Sequence, residues 1–472
     1  ADLNAYTSFD ETVYMLQVPT DSTAILEKGF QILAEWSQNI SFDGEEIDKE
    51  RGVVIEEWRL GRGAGQRMFD KILPDLFKGS RYAERLPIGK KEVLESFDHE
   101  ALRKFYRDWY RPDLMAVIAV GDFSSDLIEA MIRESFESVP APSAPIDRVT
   151  WPIPDHEETL ISIVADPEAT WSSVSIYYKQ AVRPYKTVAD YRQSLVESLY
   201  NGMLNQRLFE RTKEEDPPFL GARSSQGRFI RSKEFYILSA NVREGGIERG
   251  LDAVLTEAER VQRHGFTSSE LSRQKVLMLR GIEQAYRERD KSRSRGYAGE
   301  YIRNFLVGEP IPGIEKEYAL YNELIPGIAI EEVNRIGSTW IKDDSRVISV
   351  QMPQKEDLPL PEESDILAVM AAAEKKEIAP YEDDVSSLPL VEMMPTPGSV
   401  VSERQVPEID VTEWTLSNGV RVVLRPTDFK NDEVLFTAFS PGGHSLVEDV
   451  DYISAATATS VLMESGMGSF TQ

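Results

Sequence analysis

Two proline-dense stretches constrain this chain more than any other feature. PAPSAPIDRVTWPIP fills residues 140–154, and a longer run from 354 to 410 contains EDLPLPEESD, IAPYEDDVSSLPL and MMPTPGS. Proline fixes φ and lacks an N–H, so neither stretch can run through a sheet interior or a helix. The 472 residues are in any case too many for one hydrophobic core. The chain is therefore read as separately packed pieces: 1–139, a linker at 140–154, 155–353, an inter-module linker at 354–410 with one short helix (ILAVMAAAEKK), and a new domain from 411 to 472.

Within the pieces, hydrophobic periodicity alternates between strand and helix. ADLNAYTSFDETVYMLQVP has the β-branched and aromatic content of paired strands. TDSTAILEKGFQILAEWSQN places apolar residues at helical spacing. GEEIDKERGVVIEEWRLGRG reads as a helix whose acidic first turn suits the positive end of its dipole. HEALRKFYRDWY is a helix, MAVIAVGDF a buried strand, and SSDLIEAMIRESFESV a helix behind a serine cap. ETLISIVADP, VSIYYKQAV, FYILSANV and RVISVQMP read as strands among the helices of the second piece. TEWTLSNGVRVVLRPTDF opens the last piece as a hairpin turning at Ser417-Asn418-Gly419. The order is α+β, not strict βαβ alternation.

Composition excludes several functions. Lys plus Arg number 53 against 80 Asp plus Glu, a formal charge of −27, so the chain would repel nucleic acid. Basic peptides are the natural attractive partners, although acidity also serves solubility. With no cysteine there is no disulfide, thiolate nucleophile or thiolate metal site. No apolar run is long enough to cross a bilayer. The chain opens on Ala1 without an initiator Met or basic leader, which reads as a truncation or a mature cut.

The chemistry-bearing pattern is ERGVVIEE. Glu50 and Glu57 are seven residues apart, so on a helix they return to one face with a drift of only roughly 20°. Glu57 can offer a metal an oxygen, and Glu50 can support it as a neighbouring carboxylate. On spacing alone, both also read as ordinary solvated surface glutamates.

Several segments together resemble peptidase family M16, the pitrilysin/insulinase-like zinc peptidases. ADLNAYTSFDETVY resembles the strand that follows the inverted zinc motif H-x-x-E-H. EEIDKERGVVIEE resembles the helix that gives the third zinc ligand. ERLPIGKKEVLESFDHEALRKFYRDWYRPDLMAVIAVGDF is similar to the rest of that domain, and LSNGVRVVLRPTDF to the opening of a fresh module. The resemblance implies an α+β fold of M16 domains, antiparallel sheets with helices packed on one face. It makes Glu57 the third zinc ligand and Glu50 the supporting carboxylate. Asn4, Ala5 and Thr7 would lie on the edge strand that receives peptide substrate by β-augmentation. Asn4 also reads as a residue bonding its own backbone, and Tyr6 as either a packing aromatic or a pocket wall.

The rest of the family's site is not encoded here. His99, His156, His264 and His444 are the four histidines, and none begins an H-x-x-E-H. The resemblance places the two ligand histidines and the general-base Glu upstream of Ala1. His99 reads as a capping-region residue, His156 as the end of the proline-rich linker, and His264 as a helix-end residue. In the last piece, the positions equivalent to the inverted motif are Val461 to Ser465. Val461 and Ser465 replace both histidines and Glu464 survives, as in a zinc-dead second module. Arg211 receives no catalytic role, because Pro218 and Phe219 follow where a partner tyrosine would stand.

Two functions stay open at this point. One is a zinc metalloendopeptidase enclosing peptides or unfolded polypeptides between two modules of one chain. The other is a non-catalytic peptide-binding or scaffold subunit. Zinc is expected for the full-length protein. These 472 residues, with one carboxylate of a three-ligand set, are expected to bind no catalytic zinc and hydrolyse nothing. Resemblance and the lack of cysteine point to the bacterial periplasm or cell envelope, with the cytoplasm as the alternative.

Overall fold

The computed structural model describes residues 2–383, 389, 393–463 and 465, and the chain separates into two units. The first comprises residues 1–278 and 293–381, and the second 279–292 and 382–472.

The first unit opens with the antiparallel pair β1 (Asp2–Thr7) and β2 (Thr12–Gln17), in the register Ala5 opposite Tyr14. Helices α1 (Thr23–Gln38), α2 (Gly44–Gly61) and α3 (Ala64–Leu76) follow. Next come α4 (Lys91–Ser96), α5 (His99–Trp109) and α6 (Ser125–Phe136). MAVIAVGDF, expected as a buried strand, forms none. A strand needs a ladder partner, and the β1–β2 sheet has no third member among the described residues. The segment instead lends Val117 and Phe123 to a small cluster with Leu26 and Phe30 of α1 and Ile128 and Met131 of α6.

The main core surrounds a five-stranded sheet in the order β3-β7-β4-β6-β5. Its strands are β3 (Leu160–Asp166), β4 (Ser172–Gln180), β5 (Gly221–Ile230), β6 (Lys233–Val242) and β7 (Arg346–Pro353). β3 runs parallel to β7, and the other pairs are antiparallel. Ile176 sits opposite both Leu238 and Ile348, and all three are buried. That face is covered by α7 (Val188–Arg211) and α8 (Ile247–His264). The chain then continues through α9 (Ser268–Arg287), α10 (Ser294–Val307), α11 (Ile314–Leu324) and α12 (Ile330–Trp340). Tyr200 of α7 meets Tyr236 edge-on at 6.2 Å between ring centroids, and Trp340 of α12 lies 4.7 Å from the same ring.

Helix α3 covers part of the opposite face, so helices flank both sides of this sheet. Met68, Ile72, Leu73, Leu76 and Phe77 cluster with Val164, Phe235 and Val347. Arg67 fastens the start of α3 to the end of β3, donating to both carboxylate oxygens of Asp166 at 2.7 and 2.5 Å. A helix that precedes the first proline-rich stretch in sequence thus belongs to the core that follows it. The second such stretch opens with a packed element: α13 (Glu363–Lys375) lays Ile366, Met370 and Ala373 against α8 at helical spacing.

The second unit contains the three-stranded sheet β10-β9-β8, from β8 (Val400–Val406), β9 (Val411–Leu416) and β10 (Arg421–Leu424). Gly419 in the β9–β10 turn has φ +86°, the conformation that turn demands of glycine. Asn431 ties the following loop to the end of α9, its N–H donating to Glu288 Oε1 at 2.6 Å and its Nδ2 to the Arg287 carbonyl at 2.8 Å. Helix α14 (Tyr452–Met463) ends the described structure apart from Ser465. Val461 is exposed on it, Ser465 follows it, and Glu464 lies outside the described residues.

Candidate functional site

Helix α2 is held firmly on one side. Asp43 caps it, accepting the N–H groups of Glu45 at 2.9 Å and Glu46 at 3.3 Å. Ile47 is buried, and Arg51 reaches the carbonyls of Leu94 at 2.6 Å and Phe97 at 3.0 Å while its guanidinium lies 4.0 Å from the Phe97 ring centroid. Val54 and Trp58 complete this half-buried side.

Glu50 and Glu57 occupy the other side. Both are exposed, and among the described residues neither has a hydrogen bond or ion pair. Glu46 is engaged with Lys49, Asp48 with Arg51 and His99, and Glu56 with Arg59, while Glu45 in the first turn is also without a side-chain partner among the described residues. Val53 and Leu60 share the stripe with the two free carboxylates and are 57% and 73% exposed. The face therefore pairs two uncommitted carboxylates with apolar side chains left in water.

The other predicted residues lie on β1, every residue of which is exposed. Its only partner among the described residues is β2, so its outer edge is open to another strand. Asn4 Oδ1 accepts the N–H of Ala5 at 2.9 Å, the self-bonding the residue type allows. Thr7 Oγ1 lies 3.2 Å from Thr12 Oγ1 across the pair. Below the hairpin, Tyr14 OH is 2.6 Å from Tyr110 OH, and Trp36 packs 5.4 Å from the Tyr14 ring. Burial, then that hydrogen bond, pushes the Tyr110 hydroxyl far above the ordinary phenol range. This aromatic prop spans 96 residues of sequence and left no local signal to read.

Beyond Thr7, β1 runs into a cleft of about 660 Å³. Tyr6 lines it, which makes that side chain a pocket wall, and burial followed by the charge of Glu11 raises its pKa. The facing wall comes from the β5–β6 hairpin and from Arg183, Tyr185 and α10. Sequence reasoning missed this cleft because its residues come from four distant segments.

The histidines of this unit are engaged away from α2's open face. His99 Nε2 is 2.8 Å from Asp48, His264 Nε2 is 2.7 Å from the Ile378 carbonyl, and His156 Nδ1 is 2.6 Å from the Glu158 carbonyl. Burial lowers the His156 pKa. Among the described residues no group of three His, Cys, Asp or Glu side chains gathers as metal ligands. Glu57 alone does not make a zinc site. Arg211 is engaged by Glu214 and Glu257. No described helix is long and apolar enough to cross a membrane.

The chain is similar to several known proteins. The family model described as insulinase (peptidase family M16) matches residues 1–86, and the peptidase M16 inactive domain matches 96–278. The zinc protease PQQL-like of Arabidopsis thaliana is 38% identical, over 98% of this chain and 46% of its own length. The crystal structure of the periplasmic protease PqqL from Escherichia coli matches with a TM-score of 0.76 and 27% identity, over 90% of this chain and 47% of that one. The structure of the first half of that protease matches with a TM-score of 0.75 and 26% identity, over 81% and 82% of the two chains. The chain thus spans about half the length of the curated relatives it matches. On these matches, and on the mixed helix-and-sheet fold they share, the chain belongs to peptidase family M16.

Proposed function

We propose that this chain is part of a two-module zinc metalloendopeptidase that cleaves peptides or unfolded polypeptides. The observation that carries the reading is the open face of α2, where Glu50 and Glu57 stand free of every local cation. The cations of α2, Lys49, Arg51 and Arg59, are taken within a turn by Glu46, Asp48 and Glu56, which leaves the stripe of Glu50 and Glu57 open to a ligand from outside the helix. In the proposal, Glu57 is one ligand of a zinc site completed by histidines outside these 472 residues, and Glu50 supports it. Residues 1–139 and 155–353 are the two domains of the first module, and 411–472 open a second, zinc-dead module. Substrate adds as a strand to β1 at Asn4, Ala5 and Thr7, where backbone hydrogen bonds give affinity without regard to sequence. Asn4 must turn away from the Ala5 N–H for that edge to accept a peptide. The periplasm or cell envelope is the proposed compartment, by similarity to the periplasmic protease PqqL of Escherichia coli.

The test uses the full-length protein containing this chain. Glu57→Gln is expected to lower bound zinc and the hydrolysis of an unfolded peptide more than about 100-fold, and Glu50→Gln about 10- to 100-fold. In the 472-residue chain alone neither substitution should move the unfolding midpoint, because there neither side chain has a partner among the described residues. In the full-length protein Glu57→Gln should lower it by the stabilisation that bound zinc supplies. Full turnover by Glu57→Gln overturns the ligand assignment. A wild-type protein that binds peptide but holds no zinc and cleaves nothing establishes the scaffold reading instead.

A further inference from the structure

Continuous with the cleft beyond β1 is a recess of about 320 Å³, bounded by residues 182–186, 306–308, Arg228 and Arg231. Its charged lining is Arg183, Lys186, Arg228 and Arg231, without a carboxylate. The carboxylates of the larger cleft are already committed. Glu234 is buried and binds Arg183, which also bridges Glu197. Asp190 accepts the N–H groups of Lys186 and Thr187, each at 2.9 Å. Asp10 accepts the Tyr82 hydroxyl, and Glu309 pairs with Arg303.

The cations are less fully used. Arg183 is saturated by Glu197, Glu234 and Gln226. Arg231 donates to the Leu306 carbonyl at 2.6 Å and to Glu11 at 3.3 Å, and its buried Nε has no partner. The Arg228 guanidinium has no hydrogen bond among the described residues, and its one ionic contact is a loose 3.9 Å to Glu234. Lys186 is exposed, and its ammonium is likewise unpaired among them. The guanidinium fork is built to take two oxygens of one planar anion. In a chain of charge −27, a recess with a loosely held guanidinium, an unpaired ammonium and no acid of its own is a local exception.

We propose that this recess is a carboxylate-binding subsite for the peptide laid along β1, with Arg228 as the principal donor and Lys186 adding charge. The inference rests on the β1 edge as the peptide-binding strand. It adds what that edge cannot supply, a preference for position and charge: main-chain pairing fixes neither the register nor the end of a peptide, whereas one anchored carboxylate fixes both. The carboxylate comes from an acidic side chain or from the peptide's C-terminus.

Fluorescence anisotropy on the 472-residue chain separates the two sources with three labelled decapeptides of neutral side chains. The parent carries an amidated C-terminus, the second a free C-terminus, and the third an amide plus one glutamate. A recess that takes the terminal carboxylate should tighten only the second peptide by about tenfold. A recess that takes a side chain should tighten only the third. In either case Arg228→Gln should abolish the gain and leave the parent peptide's affinity unchanged; that side chain has no hydrogen bond to lose, so the fold is not at risk. Equal binding of all three peptides, or a gain that survives Arg228→Gln, overturns the subsite while leaving the strand reading intact. Failure of every peptide to bind overturns both.

Discussion

The five-stranded sheet and helix α2 belong to the same unit, yet they spend their hydrophobic residues in opposite ways. On the sheet, Ile176, Tyr236, Val347 and Ile348 are wholly buried between helices on both faces. On α2, Ile47 is the only buried side chain, and the stripe opposite it carries Val53 and Leu60 in water beside two unpaired carboxylates. The sheet stabilises the unit, and α2's open stripe contributes almost nothing to it. Under the function proposed above, these two apolar side chains are covered by whatever binds the face. That asymmetry distinguishes the open stripe of α2 from the packed sheet.

The largest effect expected from this comparison is on the sheet. Ile348→Ala removes a buried side chain from the interior strand β7, where β4 on one side and β3 on the other leave little room for collapse. It should cost about 2–5 kcal/mol of unfolding free energy. Glu57→Ala should cost less than about 0.5 kcal/mol. Chemical denaturation of both variants checks the contrast, and equal losses would break it.

The clothed region also holds one group that works against it. Lys179 on β4 is 4% exposed, and its ammonium makes a single long hydrogen bond, 3.5 Å to the Asp75 carbonyl. Burial, then the neighbouring Lys233 ammonium, lowers its pKa to about 8, while Asp155 and Asp75 pull the other way and Lys78 adds to the depression. Because the unfolded chain binds this proton more tightly, the penalty is complete below pH 8 and fades as pH rises toward the ordinary lysine value of about 10.5. Lys179→Met should therefore stabilise the chain at pH 7, by at most about 3 kcal/mol. Its advantage over the wild type should shrink between pH 8 and pH 10.5. An advantage that is flat across that window would show that the amine is already neutral or well solvated.

How much of this was legible in the sequence follows from how local each cause is. Asn418-Gly419 between two β-branched runs specifies a hairpin by itself, and the β9–β10 pair forms there. The seven-residue spacing of Glu50 and Glu57 was enough to put them on one face, since helical geometry does the rest. β5 was not legible: GARSSQGRFI is an edge strand whose polar side chains carry no clear alternation. MAVIAVGDF misled in the other direction: without a partner strand among the described residues the hydrophobic run is only half-buried, with Val117 and Phe123 packed on a small cluster and no residue of it fully enclosed. The placement of α3 against β3 depends on Arg67 meeting Asp166 across 99 residues, and the cleft beyond β1 depends on four distant segments coming together. Nothing periodic in the chain announces either one.

The smallest effect is the most informative about α2. Val53→Thr with Leu60→Gln removes apolar surface from the bare stripe while keeping Glu50, Glu57 and the anchored side with Ile47 and Arg51. If the stripe is not part of this unit's core, the double substitution should change unfolding free energy by no more than about 0.5 kcal/mol, because no buried area is lost. Self-association should fall, since exposed apolar patches drive it, and sedimentation velocity over a range of chain concentrations reads that directly. In the full-length protein the same pair of substitutions should instead destabilise, by about 1 kcal/mol or more per side chain, because there the stripe would be covered and its burial would count. A double variant equally silent in both contexts would mean that the stripe is plain surface, and the distinction between scaffold and site drawn from it would fail.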